Sequence, residues 1–321
     1  MPFWDPRCFD LNDNINAEIW ADSPLRQQDI QPTVPPVAVD GFGAQQAMLE
    51  PEHQAVWGNL PLPGILPWVP DLVGRRWKKK DAVFVVGSAY AGFIDEYSGR
   101  DAAMNLCCYA SANSASGFQE RFLKNVVRPD QAYYGKLATL FDGIRTMAAL
   151  CVMDLCRASF VRRGRRDGQR TNWDKPGDGI VKDSAAGPPP HIFQHYVDQN
   201  SDWTWKRFMQ SKASKIVALG SIAEHGVLRL FQQYGFTIHE QGFVLPPPEP
   251  GNGNATWVNN YAAQDRNLGY WLQHSTWWSI IPPDAGQRTF HLLPIYHPRK
   301  SNAYDPNYQQ TRMLLPGFFA A

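Results

Sequence analysis

The chain has 321 residues, of which 44% are hydrophobic and 19% charged, with a formal net charge of +1. That composition supplies a sizeable core and excludes wholesale disorder. The near-zero net charge excludes an attractive field over the whole molecule, so any nucleic-acid partner would have to meet a local basic patch.

Residues 1–80 form the first block. The stretches "QPTVPPVAVDGFG" and "NLPLPGILPWVPDLVG" are proline-rich and lack helical periodicity. Their apolar residues, Trp57, Leu60, Leu62, Ile65, Leu66 and Trp68, predict an N-terminal extension wrapped on the main domain rather than a free tail. Pro2, Asp5 and Arg7 interrupt the start before an apolar signal segment can form.

The main domain is expected over 81–321. "AVFVVG" (82–87) is a continuous apolar run ending in glycine, as suits a strand buried on both faces. "ERFLKNVV" and 133–150 carry apolar residues at spacings of three and four and predict helices. Residues 152–161 predict the second strand and 191–210 a helix. "KIVALG" (215–220) predicts the third strand. "SIAEHGVLRLFQQYG" (221–235) predicts a helix with Ser221 as N-cap and a glycine at its end. "FHLLPIYH" (290–297) predicts the fourth strand. Strands alternating with helices give the expected fold class: a three-layer α/β/α domain around a mostly parallel sheet of about four strands, with a Pro-rich N-terminal arm.

The five cysteines, Cys8, Cys107, Cys108, Cys151 and Cys156, are odd in number and contain no CxxC pair. Neither a disulfide framework nor a four-cysteine metal site is indicated, and a reducing, cytoplasmic setting is expected. The most apolar stretch, 147–156, is too short to span a bilayer and contains Asp154, so no membrane partner is expected. His191 and His195 are four apart, but no HExxH or neighbouring carboxylate pattern makes them zinc ligands, and no metal or other cofactor is expected.

Ligands of open parallel sheets bind at the carboxyl ends of the strands. Three such ends here carry suggestive chemistry: "GSAYAGF" (87–93), Gly220-Ser221, and "HPRK" (297–300). "VGSAYAGFIDEYSGR" (86–100), "GKLATLFDGI" (135–144), "ALGSIAEHGVLRLF" (218–231) and "YHPRKSNAYDPNYQQTRML" (296–314) occur in the order of the motifs of one family. Together they resemble the uracil-DNA glycosylase superfamily, nearest to its family 4 and family 5 branches, intermittently from about residue 80 to 315. Tyr90 stands where the family's first motif has proline, and Arg299 where its last has serine.

That resemblance implies a base-excision repair enzyme that flips a deaminated base out of duplex or single-stranded DNA and hydrolyses its N-glycosidic bond. His297 is the implied donor to the departing base and Asp101 the implied water-orienting carboxylate, with Asp95 and Glu96 as alternatives. Gly87, Ser88, Ala89, Tyr90 and Phe93 would surround the base, the two aromatic residues by stacking. Gly220 and Ser221 at a helix start, with Pro298, Arg299 and Lys300, would hold DNA phosphates. "RRWKKK" (75–80) and "VRRGRRDGQR" (161–170) could extend a phosphate-binding stripe. A monomer is expected. The first-motif acid replaced at Ser88 or Ala89 and the serine replaced by Arg299 support an alternative: a catalytically inactive protein of this fold that binds nucleic acid or a nucleotide-like ligand.

Overall fold

Apolar residues dominate the runs "VFVVGSA", "LCVMDLC", "KIVAL" and "FHLLPI", and each forms a strand. The computed structural model describes residues 5–23, 65–89, 112–125, 133–160, 196–240, 243–244, 277–295 and 306–320. In chain order the elements are α1 (Asn14–Ala21), β1 (Ile65–Trp68), β2 (Leu72–Val73), β3 (Val83–Ala89), α2 (Ala115–Asn125), α3 (Tyr134–Phe141), β4 (Leu150–Cys156) and β5 (Ala158–Phe160). They continue with α4 (Ser201–Gln210), β6 (Lys215–Leu219), α5 (Ser221–Gln233), β7 (Thr237–Glu240), β8 (Phe243–Val244), β9 (Trp278–Ile281), β10 (Phe290–Ile295) and α6 (Pro306–Ala320).

The main sheet has eight strands in the order β2-β4-β3-β6-β10-β9-β7-β8. Its centre is parallel: β4 pairs with β3, β3 with β6, and β6 with β10. The flanking strands β2, β9, β7 and β8 are antiparallel to their neighbours. The expectation of about four strands therefore falls short by those flanking strands. They are short, and β9 alternates buried and partly exposed residues, so none gives the continuous apolar run that marked the centre. β1 and β5 form a separate antiparallel pair.

Alternate residues of each central strand enter different cores, because successive side chains point to opposite faces. Val83, Val85, Val217, Leu219, Leu293 and Ile295 pack with Phe118 and Phe122 of α2, Leu137 of α3 and Phe318 of α6. Phe84, Val86, Ile216, Ala218 and Leu292 pack with Ile15 and Ile19 of α1, Phe208 of α4 and Phe231 of α5. Among the described residues no helix is long and apolar enough to cross a membrane.

Two helix ends differ from expectation. The helix expected over 133–150 ends at Phe141, because Gly143 takes a left-handed conformation at φ 73° and a short 3-10 turn over Met147–Ala149 leads into β4. The N-cap of α5 is Gly220, at φ 92°, rather than Ser221, which is the first helical residue. Gly235, at φ 80°, lies just past the end of that helix, the glycine expected there.

The described parts of the first 80 residues are built into this frame. β2 is a strand of the main sheet, and α1 places Ile15 and Ile19 in one core while Trp20 enters the other. A buried polar network fastens them. The Arg157 Nε donates to Asp71 Oδ1 at 3.0 Å, and its Nη1 donates to Thr204 Oγ1 at 2.8 Å. The Arg207 Nε donates to Asp71 Oδ2 at 3.1 Å, its Nη1 to Asp13 Oδ1 at 2.6 Å and its Nη2 to Asn16 Oδ1 at 2.8 Å. Asn16 and Asp71 also exchange side-chain-to-backbone bonds, each 2.9 Å long. The Arg207 guanidinium lies 4.8 Å from the Trp77 ring centroid.

All four charged side chains are at most 2% exposed. Removing one partner of such a buried set leaves an uncompensated charge, at a cost of about 3–5 kcal/mol. Asp71→Asn or Arg207→Met is therefore expected to lower unfolding stability in urea by about that much. Lys206→Ala, which opens an ion pair to Glu18 with both side chains 47% exposed, should change it by less than about 1 kcal/mol.

Candidate functional site

The parallel strands leave the sheet at one edge, and the order β4-β3-β6-β10 puts the end of β3 between the ends of β4 and β6. Gly87, Ser88 and Ala89 close β3, with Gly87 level with Asp154 and Ala89 level with Cys156 on β4. Gly220 follows β6 directly, and its N–H donates to the Ile295 carbonyl at the end of β10, at 2.7 Å. That contact joins two of the three strand ends read from the sequence. It also commits the Gly220 amide, so an anion at the start of α5 would meet the amides after it.

Tyr90, Phe93, Asp101, His297, Pro298, Arg299 and Lys300 lie outside the described residues, as do Asp95, Glu96, His191, His195 and 161–170. The "RRWKKK" stretch is described, and it lies away from this edge. It precedes β3 and so sits at the opposite, amino edge of the sheet, which removes it from a single stripe with the strand ends.

Asp154 is the residue at this edge that sequence reasoning passed over as a functional group. It interrupts the apolar strand "LCVMDLC" toward its carboxyl end. Gly87 makes room for it: a Cβ built on Gly87 would stand 1.9 Å from Asp154 Oδ1. The glycine of the first motif thus has a steric reason independent of any ligand. The carboxyl shares a cleft with Asp71, Phe122, Tyr133, Tyr134 and Arg157. Tyr134 packs edge-on against Phe122 and Tyr133, with centroids 5.6 and 4.9 Å apart.

Among the described residues Asp154 has no hydrogen-bond partner for its carboxyl. Burial pushes its pKa up to about 7; the nearby Asp71 carboxylate adds to the rise and the Arg157 guanidinium opposes it. Burial, and then the Asp154 charge, raise the Tyr133 and Tyr134 hydroxyls well above the usual tyrosine range, so both stay protonated at neutral pH. The arrangement is a half-buried carboxyl that exchanges a proton near neutrality, walled by aromatic rings. Protonated, it offers one donor and one acceptor side by side; ionised, it only accepts. Among the described residues no three His, Cys, Asp or Glu side chains converge as a metal site.

No protein-family model matches the chain, and a search of curated proteins finds no match.

The raised Asp154 pKa has a signed consequence for stability. In the unfolded chain an aspartate ionises near ~3.9, whereas the folded protein keeps this proton to about 7. Between those values the folded state binds more protons, so stability falls as pH rises through the window and levels off above it. Asp154→Asn is expected to remove this fall, flattening urea-derived stability between about pH 4 and 7 by up to about 4 kcal/mol. A parallel profile for the variant and the parent would show that Asp154 ionises in the ordinary range. Gly87→Ala should displace the carboxyl and depress stability at every pH.

Proposed function

We propose that this chain hydrolyses the N-glycosidic bond of a deaminated base in DNA, as its resemblance to the uracil-DNA glycosylases implies. The observation that carries the reading is the strand order. The segments bearing the resemblance at 86–100, 218–231 and 296–314 start on or directly after β3, β6 and β10, which are adjacent and parallel. They therefore emerge at one edge, where Asp154 also lies. The finer architecture belongs to the same proposal: a three-layer α/β/α domain over 81–321, with residues 1–80 wrapped on it, acting as a cytoplasmic monomer.

In this reading the extruded base enters beside the end of β3. Water attacks the sugar C1′, the C1′–N bond breaks, and its electron pair leaves on the base. His297, two residues beyond the end of β10, donates to a base oxygen as that charge develops. Asp101 orients the water and receives its proton, with Asp95 and Glu96 as the other carboxylates of that loop. Gly87, Ser88 and Ala89 border the base, and Tyr90 and Phe93 stack on it. Asp154, protonated near neutrality, presents its donor and acceptor to the base edge. Ser221, Pro298, Arg299 and Lys300 face the flanking phosphates.

The test is a uracil-containing single-stranded or gapped oligonucleotide followed by alkaline strand cleavage. The parent protein should give abasic product, and His297→Ala should lower the rate by about 100-fold or more. Arg299→Ala with Lys300→Ala should flatten the dependence of log affinity on log salt by about 1.8 on duplex DNA. Salt-sensitive binding with no product from the parent would support the non-catalytic reading, which the missing acid at Ser88 or Ala89 and the lost serine at Arg299 favour. Neither product nor binding would overturn both.

A further inference from the structure

The amino edge of the central sheet collects positive charge from segments far apart in sequence. Arg75, Arg76, Lys78, Lys79 and Lys80 form the turn before β3 and are exposed. Arg145 lies ahead of β4, exposed Lys212 and half-buried Lys215 stand at the start of β6, and Arg288 lies ahead of β10. The register fixes their neighbourhood: Val83 is level with both Leu150 and Lys215, and Lys215 with His291. Lys212 N–H donates to the Lys78 carbonyl at 3.1 Å, tying the basic turn to the start of β6.

Against these nine lysines and arginines, the segments leading into the four parallel strands carry three described acids: Asp81, Asp142 and Asp284. Asp81 is taken by Arg76, 2.5 Å away, and Asp284 accepts from Gln287. Among the described residues no ion pair joins Arg145 or Lys215 to an acid. The Lys215 Nζ, Arg145 Nε and His291 Nδ1 are buried atoms with no hydrogen-bond partner among the described residues. Lys215 and Arg145 lie instead over the rings of Phe318 and Phe319, at 5.0 and 4.5 Å. Burial and Arg145 hold Lys215 below the usual lysine range, and burial and Lys215 do the same to His291. Lys215 and Arg145 repel one another, and the neutral His291 imidazole beside Lys215 does nothing to relieve them.

A chain of net charge +1 has no general excess of cations to scatter, so their concentration on one edge is a property of the fold. Neighbouring strands lie ~4.8 Å apart, which makes the row from β4 to β10 about 14 Å long. Over that length a nucleic-acid strand presents about four phosphates, one per ~3.4 Å of axis. A lipid surface requires no fixed spacing between cations, whereas a repeating phosphate backbone matches a row held by strand starts.

We infer that the amino edge, through Lys78, Lys79, Lys80 and Lys212, is a phosphate-backbone binding surface for nucleic acid, separate from the site at the carboxyl edge. The outer lysines contact phosphates, while Arg145 and Lys215 supply the field behind them. The inference does not depend on glycosylase activity.

The experiment measures binding of a fluorescent 20-mer duplex, free of uracil, against potassium chloride concentration. The quadruple variant Lys78→Gln, Lys79→Gln, Lys80→Gln, Lys212→Gln is compared with the parent and with Arg299→Ala, Lys300→Ala. The quadruple variant should flatten the salt slope by about 3.6 if every lysine contacts a phosphate, and by at least about 2. Its uracil cleavage from a short single strand at low salt should equal the parent's where the parent has that activity. The double variant Lys79→Gln, Lys80→Gln provides the same readout with fewer changes, at about 1.8. An unchanged slope in both lysine variants overturns the inference, as does binding to phosphatidylserine vesicles with no binding to the duplex. A flattened slope in a parent that makes no abasic product upholds this surface while removing the glycosylase reading. Product formation with an unchanged slope does the reverse.

Discussion

The structure depends on the burial of two arginines, Arg157 and Arg207, against two aspartates, Asp13 and Asp71. Neither guanidinium can enter a core alone, because an isolated charge there costs far more than one apolar side chain returns. Here each has a carboxylate and further acceptors. Asp71 divides its oxygens between the two arginines, Oδ1 and Oδ2 to Arg157 and Oδ2 to Arg207. Burial works against the Arg207 charge, but Asp71 and Asp13 outweigh it and leave its pKa raised. The bonds join residues 86, 136 and 194 positions apart, so this one cluster fixes α1, the segment before β2, the end of β4 and α4 to one another. The adjoining Cys151 is correspondingly inert, since burial raises its thiol out of the reactive range.

The same cluster sets the electrostatics of the carboxyl edge. Asp71 and Arg157 line the cleft into which Asp154 projects. Asp71 repels a second carboxylate and Arg157 attracts one, so their effects oppose. Burial then decides, and Asp154 keeps its proton to near neutrality. A bond in the scaffold thereby tunes a group at the candidate site, with no direct hydrogen bond between them. Gly87 completes the arrangement, because any side chain there would fill the place the carboxyl takes.

The parallel centre of the sheet was legible in the sequence because four of its strands are apolar on both faces, and such runs stand out without any alternation. The antiparallel flank was not. β7, for instance, runs Thr237, Ile238, His239 and Glu240 over four residues, with Ile238 in the core, and nothing so short separates a strand from a loop. The buried network was invisible for a different reason. Asp13, Asp71, Arg157 and Arg207 are ordinary charges in sequence, and only the fold makes them neighbours. Asp154 was readable in principle: a single acid in "LCVMDLC" has either a partner or a task. In the sequence it reads as an interruption of an apolar run, because no motif names it. The strand before 297–300 was readable as an apolar run, and the register places it beside β6; residues 297–300 themselves lie outside the described residues.

A parallel sheet has a polarity that an antiparallel one lacks, and this chain distributes its charge along it. All four central strands begin at one edge and end at the other, so segments leading into strands are gathered at the first and segments leaving them at the second. The leading segments are rich in lysine and arginine, and the strand ends carry glycine, serine and Asp154. Net charge averages the two edges and conceals both. Since screening confines exposed charges to an interaction range of about 8–10 Å at moderate salt, each edge presents its own field to a ligand. The surfaces proposed at the two edges would then bind independently, and the salt dependence of one would not be a measure of the other.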